Sequence, residues 1–224
     1  MRKTDEKKAS RLNRLLLFDR DFLGQGFESL AGLDEAGRGP WAGPVVASAV
    51  IVRDFSFQNP IDDSKKMTAL SRERAFDEIL EKCVVGVGIV EPAEIDRVNI
   101  LQATFRAMEE ALDGLGTAPG CVLVDGPHVT KSSHRQFPVI DGDGKSFSIA
   151  CASVVAKVTR DRLMEYYDEV YPRYGFARHK GYGTAEHQKA LKEHGPCRIH
   201  RKSFEPIRLL DRGNTLNNRL RLPV

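Results

Sequence analysis

Apolar and polar residues change their period several times along this 224-residue chain, and each change marks an element. Leu12, Leu15, Leu16, Phe18 and Phe22 recur at helical spacing, which predicts a helix over Ser10 to Phe22, stopped by Gly24 and Gly26; the charged residues before it read as a frayed end. Ser29 to Leu33 reads as a short strand. Pro44 to Val52 is a near-continuous apolar run rich in β-branched residues, the mark of a buried strand. A polar loop, Asp62 to Met67, leads to a helix over Ser71 to Lys82 and a third strand over Cys83 to Val90. Ile95, Val98, Leu101, Phe105, Met108 and Leu112 then predict one long helix from Glu91 to Leu115, with Pro92 in its first turn. Two further strands are expected at Val122 to Val124, ending at Asp125, and at Phe137 to Ile140. A long helix with a small-residue start follows over Ser146 to Val170. Beyond it come a loop to Gly183, a helix from about Thr184 to His194, a last short helix over Glu205 to Arg212, and a loose end from Gly213 to Val224.

Three strands come early with one small helix among them, which suggests an antiparallel meander; the later strands suggest parallel additions. The expectation is an α/β fold, a mixed sheet covered by helices. The expected division is an N-terminal helical extension (1–27), a main α/β domain (28–170), a basic helical region (171–212) and a tail (213–224), with one soft boundary near residue 170.

Composition adds two things. The hydrophobic share of 41% supplies a sizeable core, and 29% charged residues suit a folded chain in water. The formal charge is only +3, but Tyr171 to Val224 holds 12 Lys and Arg against 4 Asp and Glu, a local excess of +8 that leaves −5 for the rest. Such asymmetry points to nucleic-acid contact by the basic part. The four cysteines are widely spaced and form no Cys-x-x-Cys pair, which fits a reducing, cytoplasmic setting. No apolar run reaches the length of a signal sequence core or a membrane span, so no membrane partner is expected.

Candidate chemistry concentrates where apolar runs end in acids. Asp34 and Glu35 follow the first strand, Asp125 follows Cys121 to Val124, and Asp143 follows Phe137 to Ile140 and one turn. In open α/β sheets, sites form at the carboxyl ends of strands. Four converging carboxylates would repel one another without a cation, and magnesium or manganese, as hard ions, prefers such ligands. Two ions about 4 Å apart suit in-line attack of water on a phosphodiester.

The loop Gly37-Arg38-Gly39 lets a backbone approach a ligand and offers a guanidinium to a phosphate. A dinucleotide fingerprint there is excluded, because Pro40 and Pro44 bracket the loop and a strand follows. Gly144-Lys145-Ser146 resembles the end of a phosphate-binding loop, but Val139 stands where that loop needs glycine; Lys145 and Ser146 remain candidates to face a phosphate at a helix start. Tyr182, between two glycines and beside Lys180, suits stacking on a sugar or base. Lys65, in Asp63-Ser-Lys-Lys66, is a candidate backbone contact. His187, His194, Cys197 and His200 fit no zinc spacing and read as surface or nucleic-acid-contacting groups.

These segments together resemble ribonuclease HII, the type 2 bacterial ribonuclease H. The resemblance rests on Asp34-Glu-Ala-Gly-Arg-Gly-Pro-Trp-Ala-Gly-Pro44, Asp63-Ser-Lys-Lys66, Val122-Leu-Val-Asp-Gly126, Gly142-Asp143, the run from Ser148 to Asp161, and His179-Lys-Gly-Tyr-Gly-Thr184. It implies a ribonuclease H-like five-stranded mixed sheet flanked by helices, with a helical C-terminal extension. It implies cleavage of RNA in RNA–DNA hybrids, and incision on the 5′ side of single ribonucleotides in duplex DNA, leaving 5′-phosphate and 3′-hydroxyl ends. Asp34, Glu35, Asp125 and Asp143 would be the catalytic, metal-binding acids for two Mg2+ or Mn2+ ions. Gly37, Arg38 and Gly39 would read the 2′-hydroxyl, and Tyr182 would sense the RNA-to-DNA junction. A monomer is implied, and no sliding-clamp peptide is evident. The type 3 relative differs in its glycine loop and carries a large N-terminal domain. Trp41 stands where leucine is common, Cys151 replaces a smaller residue, and Asp141 gives Asp143 an acidic neighbour.

Overall fold

The computed structural model describes residues 3–62, 64 and 66–210. Its elements are α1 (Lys3–Leu23), β1 (Leu30–Ala36), β2 (Val45–Val52), α2 (Ala69–Lys82), β3 (Cys83–Val90), α3 (Pro92–Val98), α4 (Ile100–Asp113), β4 (Cys121–Asp125), β5 (Gln136–Val139), a 3-10 turn (Gly142–Gly144), α5 (Phe147–Val170), α6 (Phe176–His179) and α7 (Ala185–His194). Among the described residues no helix is long and apolar enough to cross a membrane.

The chain packs as two units. Among the described residues, the first takes in 3–36, 46–89 and 104–159; the second takes in 37–45, 90–103 and 160–210.

The first unit holds the sheet, in the order β3-β2-β1-β4-β5. β1 pairs antiparallel with β2, while β1 with β4 and β4 with β5 run parallel. This is the mixed, five-stranded arrangement expected. β2 is buried along nearly its whole length, as its unbroken apolar run requires. One core cluster joins Leu15 of α1 and Val50 of β2 to Phe76 and Ile79 of α2 and to Ala150, Val154 and Val158 of α5; a second joins Leu30, Cys121, Leu123, Val139 and Ile149. The small residues at the start of α5 matter because that helix lies directly on β1. A β-carbon at Gly32 would fall 2.1 Å from the main-chain carbon of Ser148, so only glycine fits there.

The second unit gathers Ala42, Met164, Tyr174, Phe176, Leu191, Ile199 and Ile207 into its own apolar cluster. Backbone hydrogen bonds bind the Gly37–Val45 segment into it: Trp41 N–H to Gly181 O, Gly43 N–H to Ile199 O, and Arg201 N–H to Trp41 O.

Several expectations need correction. α1 starts at Lys3, well before Ser10, because its charged opening is made of good helix formers. α2 begins at Ala69, where the Thr68 hydroxyl accepts the N–H of Ser71 and caps the helix. The long helix over Glu91 to Leu115 is two helices. Asn99 breaks it with φ 73°, closing α3 through its own N–H and opening α4 by accepting the N–H groups of Leu101 and Gln102 at 3.0 and 3.1 Å. The loop before Gly183 contains α6. The last helix begins at Ile207, after Glu205 and Pro206; its end and the expected tail lie outside the described residues.

Candidate active site

The first unit carries the four acids. β1 runs on through Ala36, so Asp34 and Glu35 are strand residues rather than the start of a loop, and Asp125 is the last residue of β4. Leu33 pairs with Val124 at the end of the parallel β1–β4 register. Asp34 and Asp125 therefore come next on neighbouring strands. The N–H of Gly142 donates to Asp125 Oδ1 at 2.7 Å, which ties the turn carrying Asp143 to the end of β4. Asp143 is buried, whereas Asp141, in a left-handed conformation at the turn's start, is exposed.

Asp34 is 5% exposed. Burial, and then the charges of Glu35 and Asp125, hold its carboxyl well above the ordinary carboxylate range; hydrogen bonds from Ser153 and from the Glu35 N–H work the other way. Ser153 in turn meets Ser64 at 2.9 Å, so Ser64 reaches Asp34 through two hydroxyls. Ser48, opposite Asp34 in the β1–β2 register, keeps a buried hydroxyl with no hydrogen-bond partner among the described residues.

Such a set suits a hard divalent cation: its donors are carboxylate oxygens, and the mutual repulsion at Asp34 is what a positive ion relieves. Among the described residues no three His, Cys, Asp or Glu side chains already stand at metal-ligand spacing. Asp34, Glu35 and Asp125 form a repelling group, not a closed cage.

The second unit builds the glycine loop. Gly37 has φ 96°, and a β-carbon on it would lie 2.0 Å from Arg160 Nε. Gly39 and Arg38 are exposed, as is Tyr182 at 46%; a β-carbon at Gly39 would stand 3.7 Å from Tyr182 Cε1, so loop and ring share one surface. Gly183 lies flat on the indole of Trp41, where any side chain would collide. That contact gives the unusual tryptophan a job.

Two arginines that sequence reasoning missed hold this loop from below. Arg160 is 1% exposed and donates to the carbonyls of Pro44, Ala42 and Lys180 at 3.0, 3.1 and 3.0 Å. Arg201 is fully buried and donates to the carbonyls of Gly43, Arg38, Gly37 and Pro44 at 2.9, 2.9, 2.5 and 3.1 Å. Burial lowers the Arg160 guanidinium to about 10; burial and then Arg160 lower Arg201 to about 9. Both stay charged at neutral pH. The available signal was the loop itself: an irregular segment with two prolines must find donors for its carbonyls, and arginine brings five.

Two of the histidines are not surface groups. His187 and His200 are 0% and 1% exposed. His187 Nδ1–H donates to Tyr182 O at 2.9 Å, which leaves its Nε2 to accept from His200 Nε2–H at 3.0 Å; His200 Nδ1 then accepts the N–H of Cys197 at 2.9 Å. Each ring is neutral in this chain, and burial lowers His187 to about 4 and His200 to about 3. Only His194 of the set is exposed.

Of the other candidates, Lys180 bonds Glu165 at 2.6 Å and Lys145 bonds the carbonyl of Ile140 at 2.6 Å. Ser146, expected to face a phosphate, is fully buried: its hydroxyl donates to Asp19 and accepts the N–H of Ile149, so it caps α5 instead. Lys65 lies outside the described residues.

The family model described as Ribonuclease HII matches residues 31–207. A ribonuclease HII of Syntrophobacter fumaroxidans is 54% identical over 195 residues, 87% of this chain and 84% of that protein. One from Ruminiclostridium cellulolyticum is 50% identical over 200 residues, covering 89% and 78%. The crystal structure of the ribonuclease H2 from Pyrococcus horikoshii OT3 superposes with a TM-score of 0.69 at 27% identity, over 83% of this chain and 98% of that one.

Proposed function

Because the chain belongs to the ribonuclease HII family, and is thereby a ribonuclease H acting on RNA–DNA hybrids, we propose that it also incises duplex DNA on the 5′ side of a single embedded ribonucleotide. The observation that carries the reading is the state of Asp34: a carboxyl raised first by burial and then by Glu35 and by Asp125, which lies on the adjacent parallel strand.

Asp34, Glu35, Asp125 and Asp143 are the residues that would hold Mg2+ or Mn2+, with two ions in the full site. When bound, such ions supply positive charge against the scissile phosphate and ease deprotonation of the attacking water. The remaining work falls to the chain. Hydrogen bonds from Ser153 and the Glu35 N–H favour the ionised form of Asp34 against burial and its acidic neighbours, the form in which it would bind a cation. The Gly142 N–H fixes one oxygen of Asp125. Water adds to phosphorus and the 3′-oxygen leaves, giving 3′-hydroxyl and 5′-phosphate ends.

The Gly37-Arg38-Gly39 loop reads the 2′-hydroxyl, the group that separates RNA from DNA at one nucleotide. Its carbonyls at Gly37 and Arg38 are committed to Arg201. The loop therefore meets its substrate in a preset shape. Tyr182 stacks on the deoxyribose that follows the ribonucleotide. Such contacts read sugar and backbone, so base sequence should matter little.

The test is cleavage of an end-labelled duplex carrying one ribonucleotide, beside an all-RNA–DNA hybrid, with Mg2+, Mn2+ or chelator. One cut 5′ of the ribonucleotide, lost with chelator, is the expected result. Cleavage of the hybrid alone overturns the single-ribonucleotide activity.

A further inference from the structure

The family model begins at residue 31, so α1 stands outside the matched stretch, yet α1 buries a carboxylate in the first unit. Asp19 is 2% exposed, while Asp21, two residues on, is exposed. Asp19 Oδ1 accepts the hydroxyl of Ser146 at 2.6 Å and Oδ2 accepts the N–H of Ser148 at 2.8 Å. The Ser146 oxygen accepts the N–H of Ile149 at 3.2 Å. The first turn of α5 thus finds acceptors on a different helix, which also sets a negative charge at its positive end.

The same joint leads to the acids. The Ser146 N–H donates to Gly142 O at 2.8 Å, and the Gly142 N–H donates to Asp125 Oδ1 at 2.7 Å, with Asp143 on the turn between. Burial raises the Asp19 carboxyl, and the bonds from Ser146 and Ser148 offset part of that shift. A desolvated carboxylate is costly, and here its hydrogen bonds all end on this joint.

We infer that Asp19 is a positioning residue for the acid site: through Ser146 it sets the turn that presents Asp143 and the N–H that orients Asp125. This rests on the proposed role of those two acids. Asp19 acts as groups behind metal ligands act, by fixing the angle at which the ligands point. The N-terminal helix is then part of the catalytic apparatus.

The experiment is Mn2+ titration by calorimetry on the full chain, with melting temperature and the kcat and KM for hybrid cleavage measured alongside. Asp19→Ala should weaken Mn2+ binding by about tenfold or more, raise the Mg2+ needed for half-maximal kcat, and leave KM for the hybrid unchanged. Asp19→Asn retains an acceptor for the Ser148 N–H and can donate to Ser146, so it should restore most of the affinity. Should Asp19→Ala fail to fold, Ser146→Ala cuts the same link and keeps the bond to Ser148; it should also bind Mn2+ more weakly. Wild-type Mn2+ affinity in either alanine variant overturns the inference. So does a loss of melting temperature alone, equal in Asp19→Ala and Asp19→Asn. Asp143→Asn separates the two levels: if it cleaves and binds Mn2+ like wild type, the acid assignment itself falls. If it is inactive while Asp19→Ala behaves as wild type, only the role of Asp19 falls.

Discussion

The acid cluster of the first unit and the glycine loop of the second solve opposite problems. At the acids, like charges stand side by side on neighbouring strands, and Asp34 is pushed up by burial, Glu35 and Asp125. At the loop, each exposed feature rests on satisfied groups: carbonyls of Gly37, Arg38, Ala42, Gly43 and Pro44 take hydrogen bonds from two buried arginines, and the Tyr182 carbonyl ends a chain of neutral histidines. One region holds unfavourable electrostatics that a ligand relieves. The other has spent its hydrogen bonds in advance, so that its shape exists before the substrate arrives. Electrostatic strain suits chemistry and prior order suits recognition, and each can be broken separately.

The largest effect should come from the strained region. Asp34→Asn or Asp125→Asn should abolish cleavage in Mg2+ with the fold intact; substantial activity in both by the end-labelled assay would end the assignment. Stability should move the other way. A carboxyl whose folded pKa lies above its ordinary 3.8 makes stability fall as pH climbs above that value. Asp34→Asn, measured at neutral pH without divalent ions, should therefore melt higher, by about 2–4 °C for each kcal/mol of relief.

Breaking the ordered region should cost stability as well as function. Arg201→Ala leaves buried carbonyls without a donor, and each costs about 1–3 kcal/mol. Urea unfolding should show the loss, and single-ribonucleotide cleavage should fall with it. Arg201→Lys, lacking the fork, should recover little.

Tyr182→Ala removes only the exposed ring. Stacking of this kind is worth about 1–3 kcal/mol, so single-ribonucleotide cleavage should drop several-fold to a hundredfold. The hybrid should suffer less; equal losses would remove the ring's role at the junction.

The smallest effect is a pH dependence. His187 and His200 have folded pKa values lowered to about 4 and about 3. Their stabilisation is complete above the ordinary histidine value of 6.5 and is lost as pH falls toward 4 and then 3. Denaturation midpoints across that window should decline in the wild type and flatten in His200→Gln.

Much of the framework was legible because apolar runs and turn residues report on burial directly. β3 falls on the residues expected, and β2 within one residue at its start. The acids were visible because charge beside a buried run is costly and conspicuous. The break at Asn99 was hidden, since apolar residues keep their spacing on both sides while one left-handed residue turns the chain. The buried arginines were hidden for a different reason. Arg160 and Arg201 read as surface charges, and the carbonyls that hold them lie far off in sequence, Pro44 being 116 and 157 residues away. No window along the chain contains both partners. Asp19 and Ser146, 127 residues apart, escaped in the same way.

The two buried arginines carry one more consequence, in the language of ionic atmospheres. Dissolved ions screen charges over about 8 Å at physiological salt, and they do so by crowding around groups that water can reach. Arg38 is such a group, and so are the exposed lysines of α7. Arg160 and Arg201, at 1% and 0% exposure, admit no counterion cloud. Their field reaches a phosphate on that loop partly through the protein itself, where mobile ions do not enter and screening is weaker. A phosphate resting on that loop should therefore keep part of its attraction in brine, and the dependence of binding on salt should be shallower than a count of the basic residues suggests.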